Sequence, residues 1–151
     1  MRVEILTQRH EYDGHFRLVR YGLRFEQFDG RMSLDVERLV FERGDSVAVL
    51  LYDPSRRVVT LVEQFRLPAY LREPEAGRLL EIVAGTLDDE RPPDQVVRAE
   101  ALEEAGYLLR ELQYVTTFYP SPGAGTERIH LYLSYVSARE HRAVEIGEIE
   151  A

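Results

Sequence analysis

The sequence predicts an α/β fold in which several β-strands accompany one long helix, preceded by a separate antiparallel β layer. Short segments rich in β-formers recur along most of the chain, and only the stretch around Pro92 to Gly106 combines helical periodicity with helix entry and exit signals. The N-terminal residues interleave β-formers and charges at a period close to two, as a sheet of their own would. With 151 residues and 44% hydrophobic content, one domain can bury a core without disulfides or metal staples.

The elements follow in order. "HFRLVRYGLRFEQF", His15 to Phe28, reads as a strand, and the Asp-Gly pair of "FDGR" turns it into a second extended run from Met32 to Phe41. "SVAVLLYD" is a short continuous apolar run suited to a buried strand, and "PSRR" turns it into its expected partner "VVTLVEQF". "RLPAYLREPEAGR" carries two prolines, a glycine and several charges and reads as an exposed loop before the strand "LLEIVAG". Pro92 and Pro93 then open the helix, Asp94 suits the dipole of its first turn, and Gly106 ends it. "LQYVTTFY" and "IHLYLSYV" are the last strands, around the loop "PSPGAGTER".

All nineteen basic residues are arginine, yet the formal charge is -8. No broad basic field exists to neutralise a phosphate backbone, so duplex nucleic acid is not expected as a partner, while a phosphorylated small molecule held through a divalent cation fits the charge. The absence of cysteine rules out a disulfide framework, a thiolate zinc site and a cysteine nucleophile. No apolar run is long enough to span a membrane, and the N-terminus lacks the apolar stretch of a signal peptide, so a cytoplasmic protein is expected.

The helix poses the chemical question. Val97, Ala101 and Ala105 fall on one apolar stripe, while Glu100 and Glu104 share an adjacent face with Glu103 beside them. Like charges at i and i+4 repel by a few tenths of a kcal/mol even when solvated, and by more beside a strand end. A solvated acidic face balanced by Arg98 and Arg110 is one reading. The other is a site for Mg²⁺ or Mn²⁺, because the preceding strand ends in "VAG", whose glycine allows close approach and whose carbonyls add to the hard oxygen ligands such ions take.

Residues Gly85 to Tyr107, "GTLDDERPPDQVVRAEALEEAGY", resemble the Nudix hydrolase signature G-x5-E-x7-R-E-U-x-E-E-x-G-U, where U is an aliphatic or large apolar residue. Gly85, Glu100, Ala101, Glu103, Glu104, Gly106 and Tyr107 fall at its spacing. Arg91 stands where the pattern has its first glutamate, and Ala99 where it has arginine. Glu90 and Arg98, one residue earlier in each case, keep the same separation and are a candidate ion pair bracing loop against helix. The resemblance extends from about Phe41 to Val136 through "VAVLLYD", "VVTLVEQFR", "LLEIVAG" and "YPSPGAGTERIHLYL", and it is to the branch that hydrolyses nucleoside diphosphate sugars such as ADP-ribose or GDP-mannose.

The resemblance implies a Nudix α/β/α sandwich and Mg²⁺-dependent (Mn²⁺ being the alternative) hydrolysis of the diphosphate bond, giving a nucleoside monophosphate and a sugar phosphate. It implies metal ligands at the Ala84 carbonyl, Glu100 and Glu104, with Glu103 acting through water or a second ion. It places Arg66 on the substrate phosphates and the loop of Ser121, Gly123 and Glu127 over the terminal sugar, and it offers Glu145 and Glu148 as candidates for the general base. It divides the chain into an N-terminal layer, residues 1–44, expected to pack or swap across a homodimer, and a catalytic domain, residues 45–151, shorter at its C-terminus than the family pattern. Phe16, Tyr21 and Phe25 of the layer stand open between packing and holding a base. Two rival readings are a non-catalytic module that binds ADP-ribose-like metabolites and an enzyme for nucleoside triphosphates or capped RNA ends.

Overall fold

The computed structural model describes residues 1–88 and 90–142. The chain separates into two compact units, Met1–Gly44 with Tyr119–Arg128, and Asp45–Phe118 with the described residues from Ile129 onward.

The first unit is an antiparallel sheet in the order β1 (Val3–Asp13), β2 (Arg17–Phe25), β3 (Val36–Glu42). Its first strand is an addition to the elements read from sequence, where "VEILTQRHEYD" carries too few apolar residues to signal one. Cross-strand charge pairs hold the layer: Arg20 Nε lies 2.6 Å from Glu11 Oε1 and Arg17 Nη2 lies 2.9 Å from Glu42 Oε2. The expected turn sits at Asp29-Gly30, where Gly30 adopts φ +82° and the Asp29 carboxylate accepts a hydrogen bond from the Arg31 amide. Every residue of β1 is exposed. Residues 119–128 add a loop to this unit through Phe41, whose amide donates to the Ala124 carbonyl at 2.8 Å and whose carbonyl accepts from the Thr126 amide at 3.0 Å.

The second unit is built on β4 (Ser46–Asp53), the buried apolar strand foreseen in "SVAVLLYD". It runs parallel to β10 (Ile129–Tyr135) and antiparallel to β5 (Val58–Thr60) and β8 (Val83–Thr86), while β9 (Gln113–Phe118) extends the sheet beyond β10. A mixed sheet results. Val47, Val49 and Leu51 of β4 and Val83 of β8 are fully buried against Val96, Val97 and Ala101 of the long helix, and Tyr132 of β10 joins the same core.

Two segments read as single strands are each broken in the middle. "VVTLVEQF" divides at Leu61 into β5, which pairs with β4, and β6 (Val62–Phe65). "LLEIVAG" divides at Ile82 into β7 (Arg78–Glu81), which pairs with β6, and β8, which pairs with β4. Each segment thus serves two sheets, a change of partner that periodicity along one strand cannot reveal. The segment read as an exposed loop contains a helix, α1 (Leu67–Arg72), opened by Pro68 and followed by a 3₁₀ turn at Pro74–Ala76.

The long helix is α2 (Pro93–Ala105), with Gly106 at φ +71° as its left-handed cap. The Gly106 amide donates to the Leu102 carbonyl and the Tyr107 amide to the Ala101 carbonyl, closing the last turn before Tyr107 enters the core.

Candidate functional site

The site grows from the contact of α2 with β8. Two carboxylates one helical turn apart meet two neighbouring residues of that strand. Glu100 lies over Gly85 so closely that a Cβ built there would fall 2.3 Å from its carboxyl carbon. Glu104 accepts a hydrogen bond from the Ala84 amide, with Oε2 at 3.4 Å, and one from the Gln64 side-chain amide, with Oε1 at 2.8 Å. The amide and carbonyl of one strand residue point to the same edge, so the Ala84 carbonyl also faces the side where Glu104 lies. Gly85 needs to be glycine for space, since its backbone is ordinary extended strand.

The carboxylates of the cluster disfavour one another's ionised forms. Burial first, then the charges of Glu104 and Glu103, push the Glu100 carboxyl up to about 7 from its ordinary 4.5, an effect that Arg91 partly opposes. Burial also raises Glu104, against the hydrogen bonds from Ala84 and Gln64. Glu103 itself is exposed beside them.

These residues suit a divalent cation on the donor set alone: two partly buried carboxylates that repel each other, a carbonyl edge, and a glycine that lets helix and strand close up. Among the described residues no three histidine, aspartate or glutamate side chains converge into a cage. A cation here would keep several waters, which is the habit of Mg²⁺.

The raised Glu100 pKa gives a signed expectation. The folded metal-free protein keeps a proton that the unfolded chain releases near pH 4.5, so the contribution to stability is present below that pH and is lost as pH rises through about 7. Thermal melts in a chelating buffer should therefore show a fall in stability from pH 5 to pH 7.5 that is shallower in Glu100→Gln. Equal pH slopes for the two proteins would show that Glu100 is not the titrating group.

Arg66 follows β6 and is held by Glu81 at the end of β7. Its Nε donates to Oε1 at 2.9 Å and its Nη2 to Oε2 at 2.6 Å, a two-pronged geometry in which the carboxylate is kept below its usual range by the guanidinium. The Arg66 charge also reaches Glu104.

The other predicted binding residues lie in the first unit. In the 120–127 loop the Ser121 carbonyl accepts from the amides of Ala124 (3.1 Å) and Gly125 (2.9 Å), while Gly123 faces open space. Glu127 Oε2 lies 3.7 Å from Arg43 Nη1, and the Arg43 guanidinium sits over the Phe16 ring at 5.6 Å. Phe41, Arg43, Ser121, Gly125 and Glu127 line a small cavity of about 150 Å³. Arg43 has a buried Nε with no hydrogen-bond partner. Its sequence context, "FERGD", carries no signal for this, since the pairing with Phe16 and Glu127 exists only in the fold.

Gln64 and Glu81 were also missed by the sequence reading. The available signal was the two-residue period of "VEQFR", which puts Gln64 and Arg66 on one face. The expected Glu90–Arg98 pair does not form. Arg98 Nη1 instead donates to the Leu109 carbonyl at 2.6 Å, because its place on α2 directs it to the chain leaving the helix rather than to the loop entering it. Glu145 and Glu148 lie outside the described residues.

The family model of the NUDIX domain matches residues 42–151, which include this strand, the helix and both glutamates, and the chain belongs to this family. ADP-ribose pyrophosphatase from Escherichia coli (strain K12) is 40% identical over 136 residues, covering 90% of this chain and 65% of the relative. The chain thus spans slightly less than two thirds of that protein's length. GDP-mannose pyrophosphatase from Cronobacter sakazakii is 34% identical over 154 residues, covering 99% of this chain and 80% of the relative. A solved structure described as an ADP compounds hydrolase superposes with a TM-score of 0.70 at 14% identity, covering 99% of this chain and 74% of that one, a likeness of fold. Among the described residues, no helix is long and apolar enough to cross a membrane.

Proposed function

We propose that this protein hydrolyses the diphosphate bond of ADP-ribose or a related nucleoside diphosphate sugar, releasing a nucleoside monophosphate and a sugar phosphate. The observation that carries the reading is the meeting of Glu100 and Glu104 with Gly85 and Ala84, in a chain whose relatives bear the names of ADP-ribose and GDP-mannose pyrophosphatases. Mg²⁺, or Mn²⁺ in its place, is the proposed cofactor, held by the Ala84 carbonyl, Glu100 and Glu104. When bound, it supplies positive charge to the diphosphate oxygens and makes water a better nucleophile.

The chain's own residues supply position. Arg66 offers planar donors to a phosphate, and its two hydrogen bonds to Glu81 fix the guanidinium. Glu103 stands exposed next to the cluster, where it can orient a water. Glu145 and Glu148 are the proposed sources of a general base. Ser121, Gly123 and Glu127 are proposed to close on the terminal sugar, the glycine giving the loop its freedom and Glu127 accepting from a hydroxyl.

The N-terminal layer is proposed to serve a homodimer in the cytoplasm. Its edge strand β1 exposes Val3, Ile5, Leu6 and Tyr12 over eleven residues, apolar surface that a second copy could cover.

The test is a hydrolysis panel of ADP-ribose, GDP-mannose and nucleoside triphosphates with Mg²⁺ or Mn²⁺, with products separated by chromatography. Cation-dependent release of AMP or GMP from a sugar nucleotide is the expected result, whereas preferential attack on triphosphates would move the protein to another branch. A second reading, a non-catalytic module that binds ADP-ribose-like metabolites, is favoured by one observation: Arg91, in place of an acidic residue of the signature, sets a positive charge against Glu100. Sugar-nucleotide binding without turnover would establish it.

A further inference from the structure

Alternate residues of β6 and its continuation, Val62, Gln64 and Arg66, share one face. Val62 packs on the core, Gln64 bonds Glu104, and Arg66 bonds Glu81. The bond from Gln64 joins residues 40 positions apart and takes one oxygen of the Glu104 carboxylate, while the Ala84 amide takes the other. The two donors come from strands in different sheets. A glutamate side chain turns about three bonds, so an anchor on each oxygen fixes the plane of its carboxylate. Each oxygen accepts in two directions, which leaves one lone pair on each for another partner.

The chemistry of the anchor matters as much as its place. An arginine or lysine at position 64 would neutralise Glu104, and a glutamate would repel it. A glutamine donates a hydrogen bond and brings no charge, so the negative potential of the Glu100–Glu104 pair is kept. Arg66, on the same face, is itself paired with Glu81.

We infer that Gln64 is a positioning residue for Glu104, fixing its carboxylate plane so that the unused lone pairs and the Ala84 carbonyl serve one divalent cation. This rests on the reading of Glu104 as a cation ligand. Hydrogen-bond partners of metal ligands typically contribute about 10- to 100-fold to metal affinity.

The experiment is Mn²⁺ titration followed by electron paramagnetic resonance on the wild type, Gln64→Met, Glu104→Gln and the double variant, with thermal melts of each. Methionine matches glutamine in length and lacks the donor. Gln64→Met is expected to weaken Mn²⁺ binding about 10-fold or more in the wild-type background and to have no further effect once Glu104 is glutamine. Wild-type affinity in Gln64→Met, alongside a loss in Glu104→Gln, would overturn the role of Gln64, as would an equal loss in both backgrounds. Unchanged binding in Glu104→Gln would overturn the reading of Glu104 itself. Should Gln64→Met not fold, Gln64→Asn retains the amide but is one methylene too short to reach, and the same loss is expected of it.

Discussion

On the function proposed above, replacing Glu104 with glutamine is expected to lower kcat/KM for a sugar nucleotide on the order of 10³-fold while raising the melting temperature in a chelating buffer. The two effects have opposite signs and one cause. Glu104 is a half-buried carboxylate whose ionised form is disfavoured by burial, and its charge pushes up the pKa of Glu100 one turn away. Glutamine fills the same space without the charge, so the folded chain loses a repulsion. The Ala84 amide still finds the side-chain carbonyl, and the Gln64 amide can turn to present its own oxygen to the new NH₂ group. What disappears is the anionic oxygen a divalent cation needs, which is the trade between stability and activity common at functional sites. Assay and calorimetry on the same preparation decide the matter. A variant both inactive and less stable would mean that Glu104 supports the fold rather than a cation.

Gly85→Ala is expected to reduce turnover about 10²-fold and to leave the fold nearly intact. The added Cβ would lie 2.3 Å from Glu100 Cδ and Oε1 and 2.5 Å from Cγ, far inside the roughly 3.5 Å at which carbon atoms rest. The atoms it meets belong to a flexible side chain, so Glu100 swings away and the backbone stays. Misplacing a catalytic group by about an ångström costs rate by about that factor. Once displaced toward solvent, Glu100 should also lose the burial that raises its pKa, so the variant's stability should depend less on pH between 5 and 7.5 than the wild type's. A crystal structure of the variant, or its pH-resolved melts, checks both halves. An active Gly85→Ala enzyme would refute the view that Glu100 must sit against that glycine.

Much of the site could be read along the chain because it is local in sequence. Gly85, Glu100 and Glu104 lie within a single strand-loop-helix unit, where helical spacing alone brings the two carboxylates to one face. Gly106 ends the helix because only a residue tolerant of positive φ can do so, and that too is local. The residues that were missed have partners far away. Gln64 finds Glu104 across 40 residues, Glu81 finds Arg66 across 15, and Arg43 finds Phe16 and Glu127 from opposite ends of its unit. A pairing of that kind leaves no trace in periodicity, since either partner alone reads as an ordinary strand residue. The Glu90–Arg98 pair failed for a related reason: spacing gives the separation of two side chains but not the competing acceptor, here the Leu109 carbonyl.

Most of the strands, the long helix, the acidic helix face, the close glycine and the NUDIX signature are legible along the chain, because all are set by propensity, period and short-range spacing. Only the tertiary structure decided where "VVTLVEQF" and "LLEIVAG" break to serve two sheets each, and therefore which side chains of β6 and β8 face α2. The physical reason is that a strand's partner is chosen by burial and hydrogen bonding across the whole fold, and a change of partner within a strand re-aims every side chain beyond it. That re-aiming sets Gln64 and the Ala84 amide on the two oxygens of Glu104, and so orients the acidic cluster.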